Sequence, residues 1–305
     1  MKNSDVLIVG TGALANFFGA RLAASGTSIS MLGTWPEGLS ALQKNGIQFE
    51  NPSGDRISYP VLATNNPQEC AGASLALVLV KAWQTERAAR QLTECLAPDG
   101  FALSLQNGLG NREILSAYLG DERVGAGVTT TGATLLGPGL VRPGGEGVIS
   151  LGSHPHLGPM ANLLKQANFN IKITSDLDAL MWGKLVINAA INPLTALLRI
   201  PNGELLSRPS ARSLMTKTAR EVFAVASARG VRLPFDAPVS AAEDVARRTA
   251  ENCSSMLQDI NRGAPTEIDA ICGAVVKSGE QLNVDTPINR SLWMLVKSMT
   301  TGDFQ

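Results

Sequence analysis

The stretch Asp5-Val-Leu-Ile-Val-Gly-Thr-Gly-Ala-Leu-Ala-Asn-Phe-Phe18 decides the fold. After Asp5 the run to Val9 is wholly apolar, which suits a strand buried on both faces of a parallel sheet. Gly10-Thr11-Gly12-Ala13-Leu14-Ala15 follows at once, and Phe17, Phe18, Arg21 and Leu22 carry helical spacing to Gly26. Strand, glycine turn and helix in that order suit a dinucleotide. Gly10 permits the tight turn, and Gly12 lets a pyrophosphate approach the backbone. Ala15 stands where a third glycine would be, as a small residue at the helix and strand contact. Thr11, Ala13 and Leu14 complete the expected cofactor-facing turn. The pattern GxGxxA says little alone; its place between strand and helix gives it weight against the alternative of a tight βα turn with no ligand.

Working outward, the next strand is Ser28 to Leu32, whose end should touch the adenosine ribose. An acid there favours NAD and a nearby arginine favours NADP, but the chain reads Gly33-Thr34-Trp35-Pro36-Glu37, with neither signal in place. Thr34 can hydrogen-bond a hydroxyl or a phosphate, which leaves the 2' group open; because no acid sits at the strand end to repel a phosphate, NADPH is expected and NADH is not excluded. Two further strands, Ser74 to Val80 and Phe101 to Leu105, run into Lys81 and into Gln106-Asn107-Gly108. Ligands of open α/β sheets sit outside the carboxyl ends of the strands, which puts Lys81 and Asn107 on the functional edge. Lys81 also suits the solvated start of a helix from Trp83 to Leu96, and Asn-Gly is a common turn pair. From Arg123 onward, threonines, valines and Gly/Pro punctuation suggest an antiparallel extension of the sheet, then a helix from Pro159 to Gln166 and a strand from Asn170 to Thr174. The only two histidines, His154 and His156, lie in a loop without convergent thiolates or carboxylates, so no metal is expected.

After Ser175-Asp176 the strand patterns stop. Helices are predicted at Leu177 to Leu198, Ala211 to Arg229, Ser240 to Asn252, Met256 to Asn261, Glu267 to Leu282 and Asn289 to Met299. The expected architecture is α/β: a Rossmann-type doubly wound sheet over 1–174 and an all-α domain over 175–305, with a ligand cleft between them.

Within the first of those helices, Lys184, Asn188 and Asn192 recur at four-residue steps among Trp182, Leu185, Val186, Ile187 and Ile191. At roughly 100° per residue the three drift only about 40° per step, so they form one polar stripe on an apolar rod. A lysine there is expensive to bury unless something negative meets it. The stripe should face a pocket, although a core helix whose Lys184 snorkels to solvent fits the same residues. Pro193 is expected to kink or end the helix.

Composition narrows the partners. The 305 residues carry 26 basic and 26 acidic side chains, which gives no field to gather nucleic acid or an anionic membrane, so a small molecule is the expected ligand. Four cysteines without a CxxC pair argue against zinc and disulfides and for a reduced, cytoplasmic setting. Asp5 and the glycines break a possible signal peptide, and no apolar run is long enough to span a bilayer.

The segments GTGALA, KAWQ, QNGLG, WGKLVINAAINPLTAL, PNGEL and SSMLQDI followed by TEID, in this order, resemble the ketopantoate reductase (2-dehydropantoate 2-reductase) family from the first strand to the last helices. The resemblance implies NADPH-dependent reduction of 2-dehydropantoate to pantoate in pantothenate biosynthesis, by a monomer or homodimer. It further implies Lys184 as general acid with Glu267 beside it, and Asn107, Asn188, Asn192, Asn202 and Ser255 around the substrate. Lys81 falls at the junction of cofactor and substrate. The family's arginine for the adenosine phosphate aligns with Thr34, a departure that leaves the 2' group open. From the residues alone, Glu267 also suits a helix start, Ser255 with Gln258 a capping box, and Asn202 a cap for the turn after it. A reductase of the same build acting on another 2-keto acid, or a cofactor-binding regulator without chemistry, remain as alternatives.

Overall fold

The computed structural model describes residues 4–299. The chain divides into two compact units, the first Met1–Gln106 with Asn111–Leu177, the second Asn107–Gly110 with Asp178–Gln305.

The first unit begins with β1 (Val6–Val9), α1 (Ala13–Ala24), β2 (Ile29–Leu32), α2 (Pro36–Asn45), β3 (Ile47–Glu50), β4 (Arg56–Tyr59), β5 (Leu62–Thr64) and β6 (Ala73–Val78). It continues through α3 (Thr85–Cys95), β7 (Leu96–Ser104), α4 (Asn111–Leu119), β8 (Val124–Thr129), β9 (Ala133–Gly137), β10 (Leu140–Pro143), β11 (Val148–Gly152), α5 (Gly158–Gln166) and β12 (Asn170–Thr174). Eight strands form one sheet in the order β12-β11-β8-β7-β6-β1-β2-β5. From β5 to β8 every pairing is parallel, and counted along the chain these six strands run 3-2-1-4-5-6, the doubly wound arrangement. The apolar run of β1 is explained by burial on both sides. Val6 and Ile8 enter one core while Leu7 and Val9 enter another, as period-two alternation requires.

The antiparallel extension expected after Arg123 is only half present. β11 does pair antiparallel with β8, and β12 then pairs parallel with β11. β9 and β10 instead join β3 and β4 in a separate four-stranded sheet, β4-β3-β10-β9, which no local pattern announces. At its centre Glu50, 5% exposed, receives both Arg56 and Arg142 and ties three strands together. α1 touches β1 and β2 on one side and β3, β4, β9 and β10 on the other. A helix between two sheets keeps little solvent face, which is why Phe17, Phe18, Ala20 and Leu22 are all buried.

The second unit is helical: α6 (Leu177–Leu198), α7 (Glu204–Ser207), α8 (Pro209–Ala228), α9 (Pro238–Arg248), α10 (Ser255–Asn261), a π-helical turn (Asp269–Gly273), α11 (Ala274–Leu282) and α12 (Pro287–Met299). α6 supplies its core with Trp182, Leu185, Val186, Ala189, Ala190 and Ile191. Of the two outcomes expected at Pro193, a kink or an end, the second does not occur: α6 runs on to Leu198 with Pro193 inside it. The proline removes one ladder bond, but Pro193, Leu194 and Ala196 are buried, and packing of this kind outweighs a local penalty of about 3 kcal/mol. The helix ends at Arg199 instead, whose φ of 54° reverses the chain so that Ile200 N donates to Thr195 O at 3.2 Å. Among the described residues no helix is long and apolar enough to cross a membrane.

Candidate active site

Lys184 and Asn188 are half-buried and Asn192 is 8% exposed, so the stripe read from the sequence is a partly sheltered polar face on the core helix α6. Burial pushes the Lys184 ammonium from 10.5 down to about 8, and the Glu267 carboxylate pulls in the opposite direction without cancelling it. Desolvation therefore dominates. Glu267, 5% exposed, accepts a hydrogen bond from Asn107 Nδ2 at 3.2 Å. A lysine, an acid and an amide drawn from positions 184, 267 and 107 are thereby assembled in the second unit, to which the short Asn107–Gly110 segment belongs.

The readings that made these residues mere caps fare unevenly. Helix α10 is capped by Ser254, whose Oγ accepts from Leu257 N at 3.1 Å, so the capping box written on Ser255 and Gln258 is displaced by one residue. Ser255 is left half-buried and outside that cap. The Ser254 hydroxyl also lies 2.7 Å from Thr195 Oγ1, which fastens the loop before α10 to α6. The turn after Asn202 is closed by its backbone, Leu205 N to Asn202 O at 3.3 Å, not by its side chain. The Asn202 amide donates to Thr249 Oγ1 at 2.9 Å, while its buried Oδ1 has no protein partner. An acceptor in that state is suited to a donor from a ligand. At Glu267 the capping is done by Thr266, whose Oγ1 accepts from Ile268 N at 3.4 Å.

In the first unit, Gly10 has φ of 129°, and a Cβ there would lie 3.1 Å from the backbone carbon of Leu79. Gly12 differs: a Cβ would meet nothing within 4 Å, and α1 starts there with no side-chain cap and no acid in its first turn. One glycine is needed by the fold and the other leaves a helix N-terminus open to an anion, which is what a pyrophosphate requires. Replacing Gly12 by alanine should leave the melting temperature within a degree or two of wild type and weaken dinucleotide binding by about tenfold or more, read by calorimetric titration. Unchanged affinity would exclude the turn as the binding site.

Thr11 packs against Gly33, where a Cβ would lie 2.6 Å from Thr11 Cγ2, so the turn carrying Thr34 abuts the glycine turn; Thr34 is exposed. Lys81, half-buried, precedes a 3-10 turn from Ala82 to Gln84, and α3 starts only at Thr85. Two supports escaped the sequence reading. Asn16, fully buried, donates to Thr11 O at 2.8 Å and to Gly12 O at 2.9 Å, bracing the turn from inside α1. Gln106 donates to Val80 O and Thr85 Oγ1 and accepts from Ser104 Oγ, linking the ends of β6 and β7. An asparagine four residues after Gly12 in an apolar helix was the available signal for the first. No cluster of three potential ligands for a metal ion exists among the described residues.

Family models described as ketopantoate reductase PanE/ApbA and its C-terminal domain match residues 6–156 and 176–300. A 2-dehydropantoate 2-reductase of Archaeoglobus fulgidus is 37% identical over 99% of this chain and 100% of its own. One from Halobacterium salinarum is 34% identical over 96% and 97%. Among solved structures, a PanE/ApbA family ketopantoate reductase of Ralstonia eutropha superposes with a TM-score of 0.90 at 32% identity, covering 97% of this chain and 98% of that one. A D-mandelate dehydrogenase with NADH reaches the same TM-score at 24% identity over 97% of each chain, a likeness of fold alone.

Proposed function

The chain belongs to the ketopantoate reductase family, and we propose that it carries out that family's reaction, NADPH-dependent reduction of 2-dehydropantoate to pantoate, with Lys184 as proton donor. When bound, the reduced nicotinamide supplies a hydride to the keto carbon, and the carbonyl electron pair moves onto oxygen. Developing negative charge on that oxygen calls for a donor within hydrogen-bond reach. Lys184 meets the requirement at neutral pH. With its pKa lowered to about 8 it is still charged in roughly ten molecules of eleven at pH 7, yet it is a far stronger acid than an ordinary lysine. What carries the reading is the placement of Lys184 on the sheltered polar face of α6 with the Glu267 carboxylate acting on it, in a chain that the ketopantoate reductase family matches along its length.

Asn188 and Asn192 supply neutral amides along the same face, able to bond substrate oxygens without adding charge, and the unpaired Asn202 Oδ1 is suited to a substrate hydroxyl. Asn107 donates from its amide to the Glu267 carboxylate and so ties the two residues together beside the stripe. Gly10 to Ala15, with Asn16 bracing the turn behind them, would hold the pyrophosphate, and Lys81 stands at a strand end of the same sheet. No acid ends β2 to repel a 2'-phosphate, so a modest NADPH preference follows despite Thr34. Four free thiols fit a reduced, cytoplasmic compartment.

Steady-state rates with NADPH and NADH, against ketopantoate and against simpler 2-keto acids, test all of this together. The highest kcat/KM is expected for NADPH with ketopantoate. A clear NADH preference would remove the argument from β2, and a higher specificity for another keto acid would move the substrate assignment to that acid.

A further inference from the structure

The π-helical turn Asp269–Gly273 follows Glu267 by one residue and interrupts what the sequence pattern reads as one helix to Leu282. Its ladder is wide: Gly273 N donates to Ile268 O, five residues back, at 3.0 Å. An inserted residue of this kind shifts the ladder, so a carbonyl on the inner turn must find its donor elsewhere. Ala270 O finds it in Leu109 N, at 3.0 Å, from the segment that carries Asn107. The approach is close. A Cβ at Gly108 would lie 2.5 Å from Ala270 O and 2.6 Å from its Cβ, and Gly108 has φ of 83°. On the opposite side α12 closes against the turn: Trp293 Nε1 donates to Asp269 Oδ1 at 2.6 Å, and a Cβ at Gly273 would lie 3.0 Å from the Trp293 ring.

We infer that the π-turn and Gly108 form a positioning device, in which the widened helix offers Ala270 O to the Asn107 segment and so sets the Asn107 amide on the Glu267 carboxylate. This rests on the proposed roles of Lys184 and Glu267 and adds what holds them in register. Gly108 is a positioning residue: it touches no reacting atom and acts by permitting the approach. If the segment is pushed away, Glu267 loses its Asn107 donor and its fixed place, and Lys184 loses part of the field that favours its charged form.

The test compares two glycines of one loop. Gly110, with φ of 90°, is under the same backbone constraint as Gly108, but a Cβ there would meet nothing within 4 Å. Gly108→Ala should lower kcat by about a hundredfold, the scale of an ångström-sized misplacement, with the KM for NADPH unchanged. It should also move the alkaline limb of kcat/KM to lower pH. Gly110→Ala should retain turnover within a few-fold and keep the wild-type limb. Equal losses in both, or an unmoved limb in Gly108→Ala, would overturn the inference. If Gly108→Ala does not fold, Ala270→Val presses on the segment from the other side and must give the same loss and the same displacement. Failure here leaves the proton-donor assignment intact, because that assignment is read from Lys184→Ala.

Discussion

Lys184→Ala is expected to lower kcat by about a thousandfold, within the range that positioned proton donors contribute, while dinucleotide affinity stays at its wild-type value. Near wild-type turnover in a folded variant would end the assignment. Arginine should not rescue it, since a guanidinium does not release its proton at any pH the enzyme meets. In the wild type, kcat/KM for reduction should fall as the pH rises through about 8, where an unshifted lysine would hold the activity to about 10.5. Stability carries a matching signature of opposite sign. Between about 8 and 10.5 the unfolded chain binds a proton at Lys184 that the folded one has released, so the folded state gains stability as pH rises across that window. The alanine variant lacks this gain, and denaturation midpoints of both proteins across the window would measure the difference.

Glu267→Gln is expected to cost about a hundredfold in kcat and to move the alkaline limb below its wild-type position. Glutamine keeps an oxygen for Asn107 Nδ2 but removes the charge that supports the Lys184 ammonium, so burial then acts on the lysine unopposed. The combined Lys184→Ala and Glu267→Gln variant should be little slower than Lys184→Ala alone, because the two residues act through one proton. Full additivity, or a limb that moves to higher pH, would show that the carboxylate works elsewhere.

Much of this was legible in the sequence, for identifiable reasons. β1 and the glycine turn are written in a continuous apolar run followed by two glycines, and α6 spans Leu177–Leu198 as its spacing predicts. The polar stripe on α6 needs only the helical period. β3, β4 and β5 went unread because each has three or four residues, and β4 is exposed along most of its length. The second sheet pairs β3 with β10, about ninety residues apart, and no window of sequence contains both. Burial of Pro193 and its neighbours carries α6 through a position where the local steric rule alone would let it stop. The contact of Asn107 with Glu267 spans 160 residues and no local pattern announces it; the family resemblance names both residues without pairing them, and the π-turn beside them reads locally as ordinary helix.

The placement of α1 between two sheets bears on redesign of coenzyme choice. Randomising the interior of that helix would disturb two packed layers at once, so libraries built there should yield mostly insoluble protein. The solvent-facing loop at Thr34 carries no such burden, and it is the natural place to graft an arginine or an aspartate when one nucleotide is wanted over the other.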